Sequence, residues 1–272
     1  MSRPHCAMTA TAELPKRTAL GYRTYRCLHC RRIFNERTGT SFNHLRVPTD
    51  VALLVVLWRL RDKRSSRDLA EMFLARGFVF THETVRAWAA RFAPLLAEHL
   101  GAKRRGQVGV QWHADETYVK VDGRWCYLYR AIDRDGNLVE ALLSEKLDME
   151  AAQRFFADAL KVAGRAPTQV TTDGHDAYPR AIRETLGDAV SHRTSRYNNN
   201  RSEQDHRGSK QRYSPLRGFG SFTAAARCCS GFEEQRQYFR SRTRQDERVS
   251  LAEQRRLFRE RWAAVLTDLA AA

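Results

Sequence analysis

The sequence predicts an α/β protein in which a helical region precedes a mixed β-sheet covered by helices. Apolar residues recur at three- and four-residue spacing over 49–100, which is the period of an amphipathic helix. From Val110 the pattern changes to short strands separated by two Asp-Gly pairs. A hydrophobic content of 42% over 272 residues is enough for a packed core.

Three helices are predicted in the first region. Asp50 is expected to cap the first, whose apolar residues follow it directly. Ser65 or Ser66 is expected to cap the second, which Gly77 ends. Thr81 is expected to open the third, because Thr is a favoured N-cap residue.

A linker is predicted at 101–109, where Gly and basic residues cluster, and the strands follow it. Asp-Gly pairs are a strong hairpin signal and define three consecutive strands. The strands are the segment from Val110, the segment 124–133 and the segment 138–143, with turns at Asp122-Gly123 and Asp135-Gly136.

The next elements are a helix over 148–163 capped by Asp148, a strand ending at Asp173, a helix over 177–186 and a short strand near Val190. Three antiparallel strands followed by helix, strand and helix match the topology of ribonuclease H. Active sites favour the carboxyl ends of parallel strands in such sheets, which is where Asp173 is expected.

Four segments are expected along the chain. They are a basic N-terminal segment and candidate zinc ribbon at 1–46, a helix-turn-helix-like DNA-binding domain at 47–100, a ribonuclease H-like catalytic domain at 108–241 and a helical tail at 242–272.

The net charge of +16 favours nucleic acid or an anionic membrane as the partner. The longest apolar run, Val51 to Trp58, has eight residues and is too short to span a bilayer. The N-terminus lacks the apolar core of a signal peptide. We therefore expect a cytoplasmic DNA-binding protein whose cysteines are reduced or metal-bound.

Three carboxylates are candidates for catalysis: Asp115 within a strand, Asp173 at a strand end and Glu203 in a polar, helical segment. Carboxylate oxygens suit Mg²⁺ or Mn²⁺, and two such ions about 4 Å apart can clamp a phosphoryl transfer. Glu116 adjoins Asp115, but neighbouring strand residues point to opposite faces, so only one of them is expected in a given site.

Each carboxylate has an alternative interpretation. Asp115 could be salt-bridged in the strand, and Asp173 could simply cap the following helix, where Asp176 is a rival cap. Glu203 has neighbours of similar chemistry in Asp205 and His206. Lys210 lies two helical turns after Glu203 and would share its face, which suits a metal ligand beside a phosphate-binding cation. The alternative for this segment is a solvated helix surface.

The pair Cys27-x-x-Cys30 has the spacing of half a zinc site, which Cys6 and His5 could complete. The alternative is two packing cysteines.

The second and third helices could form a helix-turn-helix with residues 81–92 as the recognition helix. Its candidate DNA contacts are Thr81, His82, Arg86 and Arg91. The alternative is an ordinary helical hairpin with a charged outer face.

Two apolar patterns have structural interpretations. The aromatic strand residues Trp125, Tyr127 and Tyr129 are most simply core. The C-terminal stripe is expected either to pack on the core or to pair with another subunit; it consists of Leu251, Leu257, Phe258, Trp262 and Leu266.

The motifs DETYVKV, RWCYLYRAIDRDGN, TTDGHDAYPRAI and NNNRSEQDHRGSKQR occur in this order. Together they resemble the DDE transposases of bacterial insertion sequences, in the insertion sequence six family. The resemblance implies a ribonuclease H-type core, Mg²⁺-dependent transposition and the triad Asp115, Asp173 and Glu203, followed by Lys210. It also implies binding of terminal inverted repeats and replicative cointegrate formation, for which a homodimer or larger assembly on double-stranded DNA is expected.

The function predicted is therefore a transposase that cleaves DNA ends and transfers the freed 3′-hydroxyl strand to target DNA. One alternative is a structure-selective nuclease of the same fold, which would cut DNA without joining ends. The other is a non-catalytic helix-turn-helix regulator, which would bind DNA equally well without the triad.

Overall fold

A computed structural model describes most of the chain. The described residues are 6, 10–62, 64–194, 213, 218–244 and 247–271. Glu203, Lys210, Asp205, His206 and His5 lie outside them.

The N-terminal segment contains a small antiparallel sheet in the order β1-β2-β3. Its strands are β1 (Thr11–Arg17), β2 (Arg23–Cys27) and β3 (Ile33–Asn35). The ring of Tyr25 stacks on that of Phe34, with centroids 5.6 Å apart. Because this sheet has only three short strands, it offers little apolar area of its own for a core.

Three helices follow: α1 (Thr49–Arg61), α2 (Ser66–Leu74) and α3 (His82–Arg104). Ser65 caps α2 in a capping box with Asp68, and the Thr81 hydroxyl caps α3 by accepting a hydrogen bond from the Thr84 N–H. Both predicted caps are confirmed.

Two details of the helical region differ from the prediction. The N-cap of α1 is Pro48, and Asp50 lies inside the first turn, so the predicted Asp50 cap is wrong. Helix α3 continues to Arg104, so the predicted linker is helical over its first part. The extension occurs because Leu100 and Arg104 are both buried and continue the inward face of α3.

The main sheet has five strands in the order β6-β5-β4-β7-β8. They are β4 (Gln111–Val121), β5 (Arg124–Asp133), β6 (Leu138–Ser144), β7 (Gln169–Thr172) and β8 (Ser191–Thr194). Strands β4, β5 and β6 form antiparallel pairs, while β7 runs parallel to both β4 and β8. This is the ribonuclease H arrangement, as the order of elements predicted.

The first hairpin turn has the backbone that its sequence favours. Asp122 and Gly123 both have positive φ angles, 48° and 76°. A two-residue hairpin turn with two positive φ angles matches the twist of the flanking strands, and Asp-Gly supports it best.

Helices cover both faces of the main sheet. They are α4 (Met149–Ala163) and α5 (Ala177–Leu186) on one face and α6 (Phe222–Tyr238) on the other. Asp148 caps α4, as predicted, by accepting a hydrogen bond from the Ala151 N–H. Phe155 and Tyr178 from the first pair of helices lie in one buried cluster with Trp112.

The last helix, α7 (Leu251–Ala271), packs against the helical region. Val265 and Leu269 are buried in the same cluster as the inward residues of α1 and α3, with Trp262 and Leu266 partly buried against it. Of the two alternatives for the C-terminal stripe, packing on the core holds for Trp262 and Leu266, while Leu251 at the start of the helix is exposed. Among the described residues, the helices are all too short or too polar to cross a bilayer.

Candidate metal centre

Asp115 and Asp173 lie side by side because two parallel strands carry them to the same level. Strand β4 pairs with β7 through His113 and Thr171. Asp115 lies two residues after His113, within β4. Asp173 lies two residues after Thr171, directly after the end of β7. Side chains two apart share a face, so the register brings both carboxylates to one side of the sheet.

Glu116 joins these two carboxylates, contrary to the expectation that only one of the adjacent acids could. One carboxylate oxygen from each of Asp115, Glu116 and Asp173 lies within 4.8 Å of the others. The reason is the length of β7, which ends at Thr172. Glu116 lies just past that end, where the longer glutamate side chain can turn toward Asp173.

The Glu116 carboxylate is partly buried and is hydrogen-bonded to α5. The Tyr178 hydroxyl, from α5, donates a hydrogen bond to Glu116 Oε2. Burial raises the pKa of Glu116 above its ordinary value, and the negative charge of Asp173 raises it further, although the Tyr178 hydrogen bond and His175 act in the opposite direction. Burial, and then the Glu116 charge, keep the pKa of Tyr178 high, so Tyr178 remains a protonated donor.

The two aspartates differ in exposure and local contacts. Asp115 Oδ1 accepts the Glu116 N–H at 2.9 Å and is half-buried. Asp173 is exposed, and its Oδ1 accepts the His175 N–H at 3.3 Å. The N-cap of α5 is Asp176, so the interpretation of Asp173 as the cap of this helix is wrong.

Gly174 is the point where the chain leaves β7 beside the carboxylates. Its φ of +101° disfavours residues with a side chain, and a Cβ there would lie 2.6 Å from Thr194 Cγ2. Glycine after Asp173 therefore permits the turn that leaves this carboxylate at the strand end.

The donor set fits a hard divalent cation. Three carboxylate side chains offer the oxygen ligands that Mg²⁺ and Mn²⁺ prefer. Glu203 and Lys210, which complete the predicted site, lie outside the described residues.

A buried ion pair lies next to Asp115 and was not foreseen from the sequence. Arg130 is the direct cross-strand partner of Asp115, and its Nε donates to Glu233 Oε2 of α6 at 2.8 Å. Glu233 is only 1% exposed. An arginine inside the aromatic strand RWCYLYRAID was the available signal, because a buried guanidinium requires a carboxylate partner.

The N-terminal thiols converge. Cys6 Sγ lies 3.3 Å from Cys27 Sγ and 3.7 Å from Cys30 Sγ, and the three thiols form one group of potential ligands. Both distances are too long for a disulfide, whose S–S bond is about 2.05 Å. The Cys30 backbone N–H, followed by the Cys6 thiol, lowers the pKa of Cys27 to about 7, which favours its thiolate.

The candidate DNA contacts of α3 differ in availability. Arg86 and Arg91 are exposed, whereas the Thr81 hydroxyl is used as the helix cap. Glu83 lies 2.6 Å from Arg86 Nη1 and 3.0 Å from His82 Nε2. On the opposite side of the helix, Val85 and Trp88 face the helical core.

Comparisons with known proteins agree with this architecture. A family model described as a DDE domain matches residues 109–242. The transposase for insertion sequence element IS257 in transposon Tn4003 of Staphylococcus aureus is 35% identical over 175 residues, which cover 63% of this chain and 77% of that protein. The transposase for the insertion sequence-like element IS431mec of Staphylococcus aureus strain Mu50 has the same identity and coverage.

This chain belongs to the DDE transposases of the insertion sequence six family. Two solved structures are more distantly similar, both at 17% identity. One is a simian T-cell lymphotropic virus intasome in complex with the PP2A regulatory subunit B56 gamma, with a TM-score of 0.37. The match covers 57% of this chain and 56% of the intasome chain. The other is the HTLV-2 integrase catalytic core domain in complex with magnesium, with a TM-score of 0.30. The match covers 38% of this chain and 68% of the integrase chain.

Proposed function

We propose that this transposase cleaves the ends of an insertion sequence and joins the freed strand to target DNA at a centre built on Asp115, Asp173 and Glu203. The observation that carries the proposal is the convergence of Asp115 and Asp173, which are far apart in sequence, at the carboxyl end of β7. Membership of the DDE transposases supplies the reaction class.

Asp115, Asp173 and Glu203 would hold Mg²⁺ or Mn²⁺. When bound, such ions supply the positive charge that stabilises a phosphoryl-transfer transition state. The half-buried Asp115, fixed within β4, gives the centre a rigid ligand, whereas Asp173 leaves the site open to DNA. Lys210 would contact a phosphate beside it.

Two successive displacements use this one site. Attack of water on a phosphodiester at the element's end forms a new P–O bond, breaks the bond to the 3′-oxygen and frees a 3′-hydroxyl. That hydroxyl then attacks a target phosphodiester, which joins the two DNAs and releases a target 3′-hydroxyl. No covalent protein–DNA intermediate is required.

Substitution of the triad tests this assignment. Asp115→Asn, Asp173→Asn and Glu203→Gln are each expected to abolish nicking and joining of a labelled element end, since each removes an anionic ligand with little change in bulk. The matched control is Asp176→Asn, which changes the nearby cap of α5. Activity is expected with Mg²⁺ or Mn²⁺ and not with Ca²⁺ or excess EDTA.

The outcomes separate the alternatives. Nicked DNA without joined products would indicate the nuclease alternative. Full activity in any one triad variant would remove that residue from the centre. If the wild type binds DNA but yields no product with either metal, the chain acts as a DNA-binding regulator.

We further propose that α2 and α3 recognise the terminal inverted repeats, with His82, Arg86 and Arg91 as contacts and Thr81 as the cap that starts the recognition helix. The exposed faces of Arg86 and Arg91 support this. Arg86→Ala is expected to reduce the preference for element ends over random DNA. Arg256→Ala is the control, because it is exposed and paired with glutamates on α7. Equal losses on both DNAs for Arg86→Ala would argue against recognition by α3.

We also propose how the protein assembles on DNA and which transposition pathway it follows. A homodimer or larger assembly on double-stranded DNA would bring both element ends together in the cytoplasm, at the nucleoid. Replicative transposition would then yield a cointegrate. Sequencing of the joined products distinguishes a cointegrate from simple insertion.

A structural zinc site is proposed at Cys6, Cys27 and Cys30. Tetrahedral zinc with Zn–S bonds of about 2.3 Å holds its sulfurs about 3.8 Å apart, which is close to the 3.7 Å between Cys6 and Cys30 and longer than the 3.3 Å between Cys6 and Cys27. Elemental analysis is expected to find one zinc per chain, and Cys27→Ser to release it. Cys126→Ser, in the catalytic region, is the control. Zinc-free protein prepared without chelators would leave these cysteines as packing residues.

A further inference from the structure

A patch of exposed aromatic side chains lies on β4 and β5, on the face of the sheet that carries Glu116. Tyr118 and Trp125 are each 60% exposed, and Tyr127 is partly buried against the core. Tyr129 is 1% exposed, so the prediction that this aromatic strand is core holds for Tyr129 and is wrong for Trp125.

The patch is ordered by ring contacts across the two strands. Tyr118 lies opposite Tyr127, with ring centroids 5.4 Å apart, and 6.2 Å from Trp125 in an edge-to-face arrangement. Lys120 lies opposite Trp125, with its Nζ 6.0 Å from the ring centre. The rings are therefore held by their neighbours while a large part of their surface faces solvent.

The patch continues the surface that carries Glu116. Residues two apart on a strand share a face, so Tyr118 follows Glu116 on the same side at about 7 Å along β4. Helix α5 covers Glu116 through Tyr178, and α4 covers Tyr129 through Phe155. Tyr118 and Trp125 lie beyond these covered positions, toward the hairpin turn.

Two adjoining exposed rings leave apolar surface in contact with water. Contiguous apolar patches on a protein surface mark binding sites, where a ligand covers them. A nucleobase suits them, because every base has a π-face and stacks on aromatic rings with little dependence on sequence. The base must be unpaired, since the faces of paired bases are stacked on their neighbours in the duplex. Lys120 adds a cation for the phosphate of the same nucleotide, and the chain's charge of +16 attracts such a polyanion.

We propose that Tyr118, Trp125 and Tyr127, with Lys120, form a stacking platform for an unpaired base of the DNA strand that enters the carboxylate site. This inference rests on the proposed function, because the platform gains its role from the phosphoryl-transfer centre, whose carboxylates Glu116 reaches from the face that carries the patch. It assigns to the β4–β5 hairpin the task of holding single-stranded DNA two residues along β4 from Glu116.

Binding of a short oligothymidylate in EDTA, followed by fluorescence anisotropy, tests the platform without catalysis. The Tyr118→Ala, Trp125→Ala double variant is expected to bind at least about tenfold more weakly than wild type, because it loses the binding free energy of base stacking on the rings. The Tyr118→Phe, Trp125→Phe double variant keeps aromatic faces and is expected to retain most of the affinity. Leu251→Ala, at an equally exposed apolar residue on α7, is expected to have no effect.

An abasic oligomer of the same length separates stacking from charge. The alanine double variant is expected to bind it as wild type does, because it has phosphates and no bases. Equal losses on both oligomers, or no loss on oligothymidylate, would overturn the platform. A change in oligomeric state of the alanine variant by light scattering would also overturn it, since the patch would then be a contact between copies.

Failure of the platform can be told from failure of the proposed function. Asp115→Asn is expected to bind oligothymidylate in EDTA at least as tightly as wild type does, because it removes a negative charge near the strand and leaves the aromatic rings in place. If Asp115→Asn still nicks DNA in Mg²⁺, the proposed centre is wrong whatever the binding result. If Asp115→Asn is inactive and the alanine double variant binds normally, the centre stands and the platform does not.

Discussion

Glu116 and Asp115 are neighbours in sequence with different environments. Asp115 is fixed in the middle of β4 opposite Arg130, whose guanidinium is paired with the buried Glu233. Glu116 lies on the other face, against Tyr178 of α5, yet reaches the same group of carboxylates. The carboxylate that the family triad leaves out is therefore well placed to influence metal binding.

Glu116→Gln is expected to weaken Mn²⁺ binding by roughly tenfold, as the loss of an outer partner of a metal site typically does. The amide keeps the bulk of the side chain and can still accept the Tyr178 hydrogen bond, but it lacks the negative charge near Asp173. Isothermal titration calorimetry measures the effect.

Asp115→Asn is the positive control and Glu145→Gln the negative control for this experiment. Asp115→Asn is expected to cause the larger loss, and Glu145→Gln, an exposed acid after β6, none. Wild-type affinity in Glu116→Gln would show that Glu116 only supports the fold.

At the scale of elements, α6 connects the helical region to the sheet through two adjacent glutamates. Glu233 pairs with Arg130 of β5. Glu234 accepts three hydrogen bonds from Arg104 at the end of α3, at 2.6, 2.8 and 3.0 Å. Arg104 also donates to the Val139 carbonyl at 2.6 Å. Because these groups are buried, their pairing fixes how α3, α6 and the sheet meet.

Glu234→Gln is expected to lower the free energy of unfolding by about 3–5 kcal/mol, because it leaves the buried Arg104 charge without its main partner. Glu184→Gln is the matched control, since it breaks an exposed pair with Arg180 that is worth about 0–1 kcal/mol. Urea denaturation of both variants measures the difference. Similar small losses in the two variants would mean that Glu140, 3.7 Å from Arg104, takes over the pairing.

The attachment of α7 is expected to depend on pH. The Lys103 hydrogen bond lowers the pKa of Asp268 below its ordinary value. The pKa of Asp268 is therefore lower in the folded state than in the unfolded state, where it is about 4. The ion pair stabilises the fold above about pH 4, and this stabilisation is lost as the pH falls through the lowered folded-state pKa.

Asp268→Asn is therefore expected to destabilise the protein near neutral pH and to have little effect in acid. Unfolding measured by urea from about pH 3 to 7 tests this difference between variant and wild type. A variant that is equally destabilised at both ends of that range would indicate a packing effect rather than an ionic one.

The whole molecule is a strongly basic chain, and this property governs its affinity for DNA. The logarithm of the binding constant is expected to fall linearly with the logarithm of salt concentration, by roughly 0.9 for each phosphate neutralised on duplex DNA. Lys210→Ala is expected to reduce that slope by about one phosphate contact on every sequence.

Lys161→Ala provides the control for this measurement, because Lys161 is exposed on α4 and paired with Asp158. Anisotropy titrations over a series of salt concentrations give the slopes. An unchanged slope in Lys210→Ala would place Lys210 away from the DNA backbone.

The sequence by itself determined the features that depend on neighbours along the chain. Periodicity located the helices and strands, the Asp-Gly pairs located the hairpins, Thr81 and Asp148 were recognisable as caps, and Ser65 was one of two candidates for a third cap. These features follow from local backbone preferences, which act over a few residues. The order of the motifs also indicated the family, which the relatives confirm.

Only the tertiary structure decided which distant groups meet. That Glu116 joins Asp115 and Asp173 depends on β7 ending at Thr172, and that Trp125 is exposed depends on where the covering helices lie. Glu233, the carboxylate that pairs with Arg130, lies on a helix 103 residues later in the chain. Such contacts are set by strand register and by the packing of layers, through space rather than along the chain, and no local pattern contains them.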